Sequence, residues 1–262
     1  MGGLIYVIKV ERINKPKELT DDVQKQLTDE FKKDKKKQVW NKSYIRRELL
    51  KECHGKCVYC ESLIGEGHKE MHVDHFHYKD KYKDEVVLWK NLNPSCPHCN
   101  KSKSSHDTYV EPIINPFEQN PQEYFCIKHY RYYSKNSEVE EIVRRTIDVL
   151  ELNNTENVVM LRFKIGEALI QEIQDIYEFA IENKDILCSK TVKRNRVLRG
   201  CRNILKKGTK DAEYAAFMSS IIMGDSYYKK LRELLKELNL WDDELQELDE
   251  EVDKIKLQRN ED

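Results

Sequence analysis

Three observations in the sequence predict an α+β fold with one metal-stapled segment. Two C-x-x-C pairs, Cys57-Val-Tyr-Cys60 and Cys96-Pro-His-Cys99, stand 35 residues apart. Short β-rich runs lie between and after them. From residue 137 onward, apolar residues recur with the 3.6-residue period of helices that bury one face.

The composition suits a helix-rich protein with wide solvated faces: 35% of the 262 residues are charged and 39% apolar. No run of 18 apolar residues occurs, so no transmembrane helix is expected. The first residues lack a basic segment followed by a long apolar one, and the expected compartment is the cytoplasm. There, eight cysteines are read as metal ligands or buried thiols rather than disulfides. The net charge of −1 hides an asymmetry. Residues 32–106 hold 17 Lys/Arg against 10 Asp/Glu, and seven of the eight His fall in 54–106. Such a basic stretch attracts a polyanion by counterion release.

Residues 3–9 read as a short strand, ended by Asn14-Lys-Pro16. Thr20 is an expected N-cap, and 21–51 reads as helical, in two pieces. Residues 53–106 form the metal-bearing unit, and prolines at 112, 116 and 121 make 109–123 an extended connector. Tyr124–Tyr133 reads as a strand or hairpin arm. Ser137 with Glu140 forms a capping box for a helix to Leu152. Helices are expected near 155–183, 187–206, 209–224, 226–238 and 241–258, the last packing its narrow apolar stripe on its own domain. The expected organisation is a lead-in at 1–52, a core with connector and β arm at 53–136, and a helical region at 137–262.

Cys57, Cys60, Cys96 and Cys99 are the donors of a structural Zn²⁺ site: two two-residue knuckles closing four thiolates about 2.3 Å from the metal. Cys53 has a poorer spacing, and His98 lies inside the second knuckle as a weaker rival. Between the knuckles, Met71-His-Val-Asp-His-Phe-His-Tyr78 alternates. His72 and Asp74 fall on one strand face, and Val73 and His75 on the other. For Asp74 and His75 to reach one phosphate, the strand must end there. Trp89–Pro94 reads as a second strand, and Pro97 at a first helical position puts Asn100 and Lys103 on a helix.

The order C-x-x-C, Val73-Asp74-His75, Asn91-Leu92, then Cys96–Cys99 with Asn100-Lys101-Ser102-Lys103 resembles the HNH endonucleases of the ββα-metal superfamily. Longer strings are similar to the HNH subunit of Septu-type antiphage systems, including retron-associated Septu modules. They are Val58-Tyr-Cys-Glu61, His72–Phe76, Trp89–Leu92, Ile113-Ile-Asn-Pro116, Asn120–Phe125 and Thr146–Asn153 with Arg162. The likeness covers about residues 50–165. It implies a zinc-stapled ββα-metal HNH core with N-terminal helices and a mainly α-helical C-terminal region. It implies that His75 is the general base, that Asp74 and Asn100 bind a catalytic Mg²⁺ or Mn²⁺, and that Asn91 ties the loop and orients His75. Hard oxygen donors suit such a cation, as soft thiolates suit zinc. His77, Lys79, Lys101 and Lys103 are candidate nucleic-acid contacts. The implied activity is hydrolysis of phosphodiester bonds, with DNA the leading substrate and RNA, including tRNA, the alternative. The implied partner is an ABC-type ATPase of a defence system, docked on the helical region. A zinc-stapled binding module without catalysis is the reading from another class.

Overall fold

A computed structural model describes residues 9–13, 15–67 and 69–259. The strand expected at 3–9 lies, except for Lys9, outside these residues. The chain divides into two compact units, and the division differs from the expected boundary at 136. One unit is Lys9–Pro121 with Asn136–Leu152; the other joins Gln122–Lys135 to residues 153–259. The β arm therefore belongs with the helical region, and the first helix after it belongs with the metal-bearing unit. Pairing that spans the sequence is the cause, and composition near residue 136 carries no trace of it.

In the first unit, α1 (Asp21–Lys33) starts where the Thr20 hydroxyl accepts from the Val23 amide, and it buries Leu27 and Phe31. α2 (Ser43–Glu52) buries Ile45 and Leu49. β1 (His72–His75) pairs antiparallel with β2 (Leu92–Ser95), placing Asp74 opposite Asn93 and His75 opposite Leu92. β2 starts three residues later than expected, because Trp89–Asn91 closes into one 3-10 turn. α3 (Pro97–Lys103) follows with Pro97 in its first turn. The hairpin and helix make the ββα order. α4 (Glu140–Leu150) packs on α3, and its Thr146 hydroxyl accepts from the Ile114 amide while donating to the Ile142 carbonyl. The segment's cap is Asn136, not Ser137: its side chain accepts from the amides of Glu138 and Val139. An Asn side-chain oxygen serves as well as a hydroxyl.

In the second unit, β3 (Phe125–Lys128) and β4 (Arg131–Ser134) form a hairpin. His129 and Tyr130 both take positive φ at its tip, as a two-residue turn of the right twist demands. The C-terminal β5 (Gln258–Arg259) adds parallel to β3. The helices are α5 (Met160–Glu182), α6 (Thr191–Lys206), α7 (Ala215–Gly224), α8 (Ser226–Glu237) and α9 (Asp243–Ile255). Nearly every residue of α7 is buried, and α5 packs on α6, α7 and α8. Gly166 permits the close approach of α5: a Cβ there would lie 2.8 Å from Ile221 and 2.9 Å from Tyr130. α9 buries Leu245, Val252 and Ile255 against its own unit, as its stripe predicts. No described helix is long and apolar enough to cross a membrane.

Candidate active site and metal centre

The four paired cysteines converge. Their sulfurs all lie within 4.8 Å of one another and all four residues are buried; among the described residues this is the one such group of His, Cys, Asp or Glu. Cys60 Sγ and Cys96 Sγ are 3.7 Å apart. A tetrahedron with 2.3 Å bonds has edges of about 3.8 Å, so the donor set fits zinc in chemistry and in size. Hydrogen bonds from Cys57, Cys60 and Cys99 drive the Cys96 thiol toward thiolate, whereas burial holds the Cys57 proton on. A dication in their midst offsets the cost of burying several thiolates together. Cys96 also caps α3, accepting from the Cys99 amide at 3.4 Å, so the metal knuckle and the helix start are one feature. Cys53 and His98 stay outside the group.

Beyond the cysteines, β1 ends at His75 and Asp74 and His75 line one cleft, together with Trp40, Arg46, His72, Lys79, Asn100 and Lys101. His75 Nε2 lies 2.8 Å from the Val86 carbonyl oxygen. A carbonyl only accepts, so Nε2 carries the proton and Nδ1 keeps a lone pair. The ring stands edge-on to Trp40 with centroids 4.6 Å apart. Burial pushes the His75 pKa down to about 4, which keeps the imidazole neutral. The unfolded chain takes up this proton first, below a pH of about 6.5, so the fold loses stability as pH falls from there toward 4, by as much as about 3 kcal/mol. His75→Phe is expected to flatten that slope in urea unfolding measured across the same window. An unchanged slope would assign the acid sensitivity to other groups.

Asp74 is only 4% exposed. The Tyr59 hydroxyl donates to its Oδ2 at 2.6 Å, and Lys103 Nζ donates to its Oδ1 at 3.1 Å and to the His75 carbonyl at 2.6 Å. Each carboxylate oxygen retains a further lone pair. Lys103 thus departs from its expected role. At 1% exposure it is a buried partner of Asp74 that holds the β1 terminus. Lys103→Met is expected to lower stability by about 3 kcal/mol, because it strands a buried carboxylate. Denaturant unfolding measures the change, and a loss under about 1 kcal/mol would mean that Asp74 finds another partner.

Asn100 donates from Nδ2 to His72 Nδ1 at 3.1 Å, leaving Oδ1 as an acceptor at the cleft. Asn91 is buried away from the cleft. Its Oδ1 accepts from the His77 amide at 2.7 Å, and its Nδ2 donates to the carbonyls of Glu85 (3.1 Å) and His77 (3.3 Å). It ties the loop that carries the Val86 carbonyl, and so bears on the His75 ring through that carbonyl. His77 is not on the cleft wall: its Nδ1 is 2.7 Å from the Thr108 hydroxyl, and its ring stacks on Tyr109 at 3.7 Å. Lys79 lies 5.5 Å from the Trp40 centroid at the cleft, and Lys101 is exposed there.

Sequence reasoning missed the support behind Asp74. Asn93 Nδ2 donates to the Tyr59 oxygen at 3.1 Å, and Arg12 Nη2 donates to Asn93 Oδ1 at 3.0 Å. Arg12 Nη1 meets Glu52 at 2.9 Å, and the Ile13 amide meets the other Glu52 oxygen at 2.8 Å. Burial raises the Glu52 pKa to about 7 despite that cation. Tyr59, an aromatic with a polar tip between two ligands, carried a signal. Arg12 carried none.

The HNH endonuclease family pattern matches residues 57–106, the span of both knuckles, Asp74, His75, Asn91 and Asn100. The Septu protein PtuB of Bacillus thuringiensis is 35% identical over 243 residues, covering 92% of each chain. The chain belongs to the PtuB family of HNH endonucleases. In this HNH endonuclease the metal-bearing unit holds the family pattern, and the likeness to PtuB extends well beyond it, over both units.

Proposed function

We propose that the cleft hydrolyses DNA phosphodiester bonds as the nuclease effector of a Septu-type defence system. The observation that carries this reading is His75, neutral and with Nδ1 unprotonated, in one cleft with Asp74 and Asn100. His75 Nδ1 takes a proton from water, the oxygen so activated attacks phosphorus, and the bridging sugar oxygen leaves with the P–O electron pair and takes a proton from solvent water. Asp74 and Asn100 would hold a hard divalent cation, Mg²⁺ or Mn²⁺. Such an ion, when bound, offsets charge on the phosphorane and on the leaving oxygen. Arg46, Lys79 and Lys101 at the cleft attract the scissile strand. Lys103 and Tyr59 keep Asp74 in place, and Asn91 keeps the Val86 carbonyl under His75. The partner in this reading is an ABC-type ATPase that docks on residues 153–259, and the cell compartment is the cytoplasm.

The test is cleavage of duplex DNA and of structured RNA with Mg²⁺ or Mn²⁺, by the full chain alone and with the ATPase. Cleavage of DNA in preference to RNA supports the reading. Cleavage of RNA alone reassigns the substrate, and an ATPase that fails to copurify removes the partner.

A further inference from the structure

The helical unit carries a concentration of positive charge that the active site does not use. Residues 137–262 hold 21 Lys/Arg against 27 Asp/Glu, yet residues 190–210 contain nine Lys/Arg and no acidic residue. An ordinary solvated helix face mixes both signs. Most of this stretch is α6, whose inner side buries Val197, Cys201, Ile204 and Leu205. The outer side exposes Asn195, Arg196, Arg199, Asn203 and Lys206. Arg196, Arg199, Asn203 and Lys206 follow the three- and four-residue steps that stack side chains along one helix face.

Neutralisation is uneven. At the C-terminal end, Arg202 pairs with Asp242 and Glu244, Lys206 with Glu244 and Lys207 with Glu172. Among the described residues no carboxylate pairs with Lys190, Lys193, Arg194, Arg196 or Arg199. Arg196 instead lies 3.9 Å from the Phe179 centroid, and Arg194 donates to the Cys188 carbonyl. The Lys206–Glu244 contact is 3.6 Å between half-exposed groups, so it yields readily to a stronger anion.

We propose that the outer face of α6 is a second nucleic-acid contact, gripping the phosphate backbone through Arg196, Arg199 and Lys206. The row from Arg196 to Lys206 runs about 15 Å along the helix. Successive phosphates of one strand advance about 3.4 Å along a duplex, so the row spans four or five of them. Asn195 and Asn203, set among the cations, add neutral donors of the kind that hydrogen-bond phosphate and sugar oxygens. Glu244 borders the face at its Lys206 end, but around Arg196 and Arg199 no carboxylate among the described residues forms a pair, so cations are left over for a polyanion, and the polyanion that a nuclease meets is nucleic acid. The inference rests on the nuclease reading for that choice alone.

The test is binding of the full chain to labelled duplexes of about 30 base pairs, one DNA and one RNA, without added Mg²⁺ or Mn²⁺ and over about 50–200 mM salt. Arg196→Gln/Arg199→Gln/Lys206→Gln is expected to weaken binding at least about fivefold near 100 mM salt and to reduce the log–log salt slope by about 2 to 3. Arg196→Lys/Arg199→Lys, which keeps the charge, is expected to stay within about twofold of wild type. Lys229→Gln/Lys230→Gln/Lys236→Gln, the same charge change on α8, is expected to do the same. An unchanged affinity and slope in the first variant, an equal loss in the α8 variant, or no binding by wild type overturns the proposal. So does a variant that keeps nucleic-acid affinity but loses a protein partner. Failure of the nuclease reading is distinct, because it appears as intact binding without cleavage once Mg²⁺ or Mn²⁺ is added.

Discussion

Replacing His75 with alanine is expected to slow phosphodiester cleavage by about 10²- to 10⁴-fold, the usual worth of a positioned general base. The expectation rests on the tautomer. The Val86 carbonyl commits the Nε2 proton, and burial keeps the ring uncharged, so Nδ1 accepts a proton at neutral pH without first losing one. The side chain has no part in the four-cysteine group, so zinc content, and binding without added Mg²⁺ or Mn²⁺, are expected to match wild type. Loss of the edge contact to Trp40 is a packing change of roughly 1 kcal/mol. The measurement is single-turnover cleavage with Mg²⁺ or Mn²⁺ beside zinc stoichiometry and melting temperature. Cleavage within tenfold of wild type would move the base elsewhere. A variant that stops binding nucleic acid would make His75 a contact instead.

Cys96→Ser is expected to remove zinc and to open residues 53–106. Two losses coincide, because the same sulfur belongs to the metal group and caps α3. Structural zinc in small modules contributes about 10–16 kcal/mol, comparable to the whole stability of a typical domain. The hairpin strands it anchors, His72–His75 and Leu92–Ser95, are only four residues each, so the packing around them depends on the knuckle that sets their register. Without the knuckle, α3 loses its start, and with it Lys103 leaves Asp74 and Asn100 leaves the cleft. The helical unit has its own core in α5 to α9, so most of the helical circular dichroism is expected to persist while zinc and cleavage vanish. A strong chelator acting on wild type should reproduce the result. Retained thermal stability and cleavage in the zinc-free variant would sink a structural zinc.

Much of the site was legible in the sequence because its signals are local. A C-x-x-C knuckle is set by two intervening residues, and Pro97 marks a helix start wherever it falls. The helices α4, α6, α8 and α9 were readable for a similar reason, since a 3.6-residue period needs no partner to be seen, whereas α7, buried on nearly every side, shows no such period and starts at Ala215 rather than at 209. Misassignments arose where a side chain's role depends on distant neighbours. Lys103 reads as one more cation near a nucleic-acid site, and only its burial against Asp74 makes it a holding residue. Asn91 does tie the loop, as its motif position implies, and the structure adds which groups it grips: the His77 amide and the carbonyls of His77 and Glu85. The basic run at 190–210 was hidden by the acidic total around it, until α6 separated a buried side from an exposed one.

The sequence by itself determined the paired metal donors and the strand–strand–helix order that carries them, both through residue spacing within about 45 positions; that Asp74, His75 and Asn100 work together came from the resemblance to the HNH endonucleases. Tertiary structure alone decided what stands behind Asp74 and how the chain divides. Arg12, Glu52, Tyr59 and Asn93 form one hydrogen-bonded chain although up to 81 positions separate partners. The β arm left the nuclease unit because Gln258–Arg259 pairs with Phe125–Lys128. Contacts of that reach are set by which buried groups must find partners, and no local pattern records them.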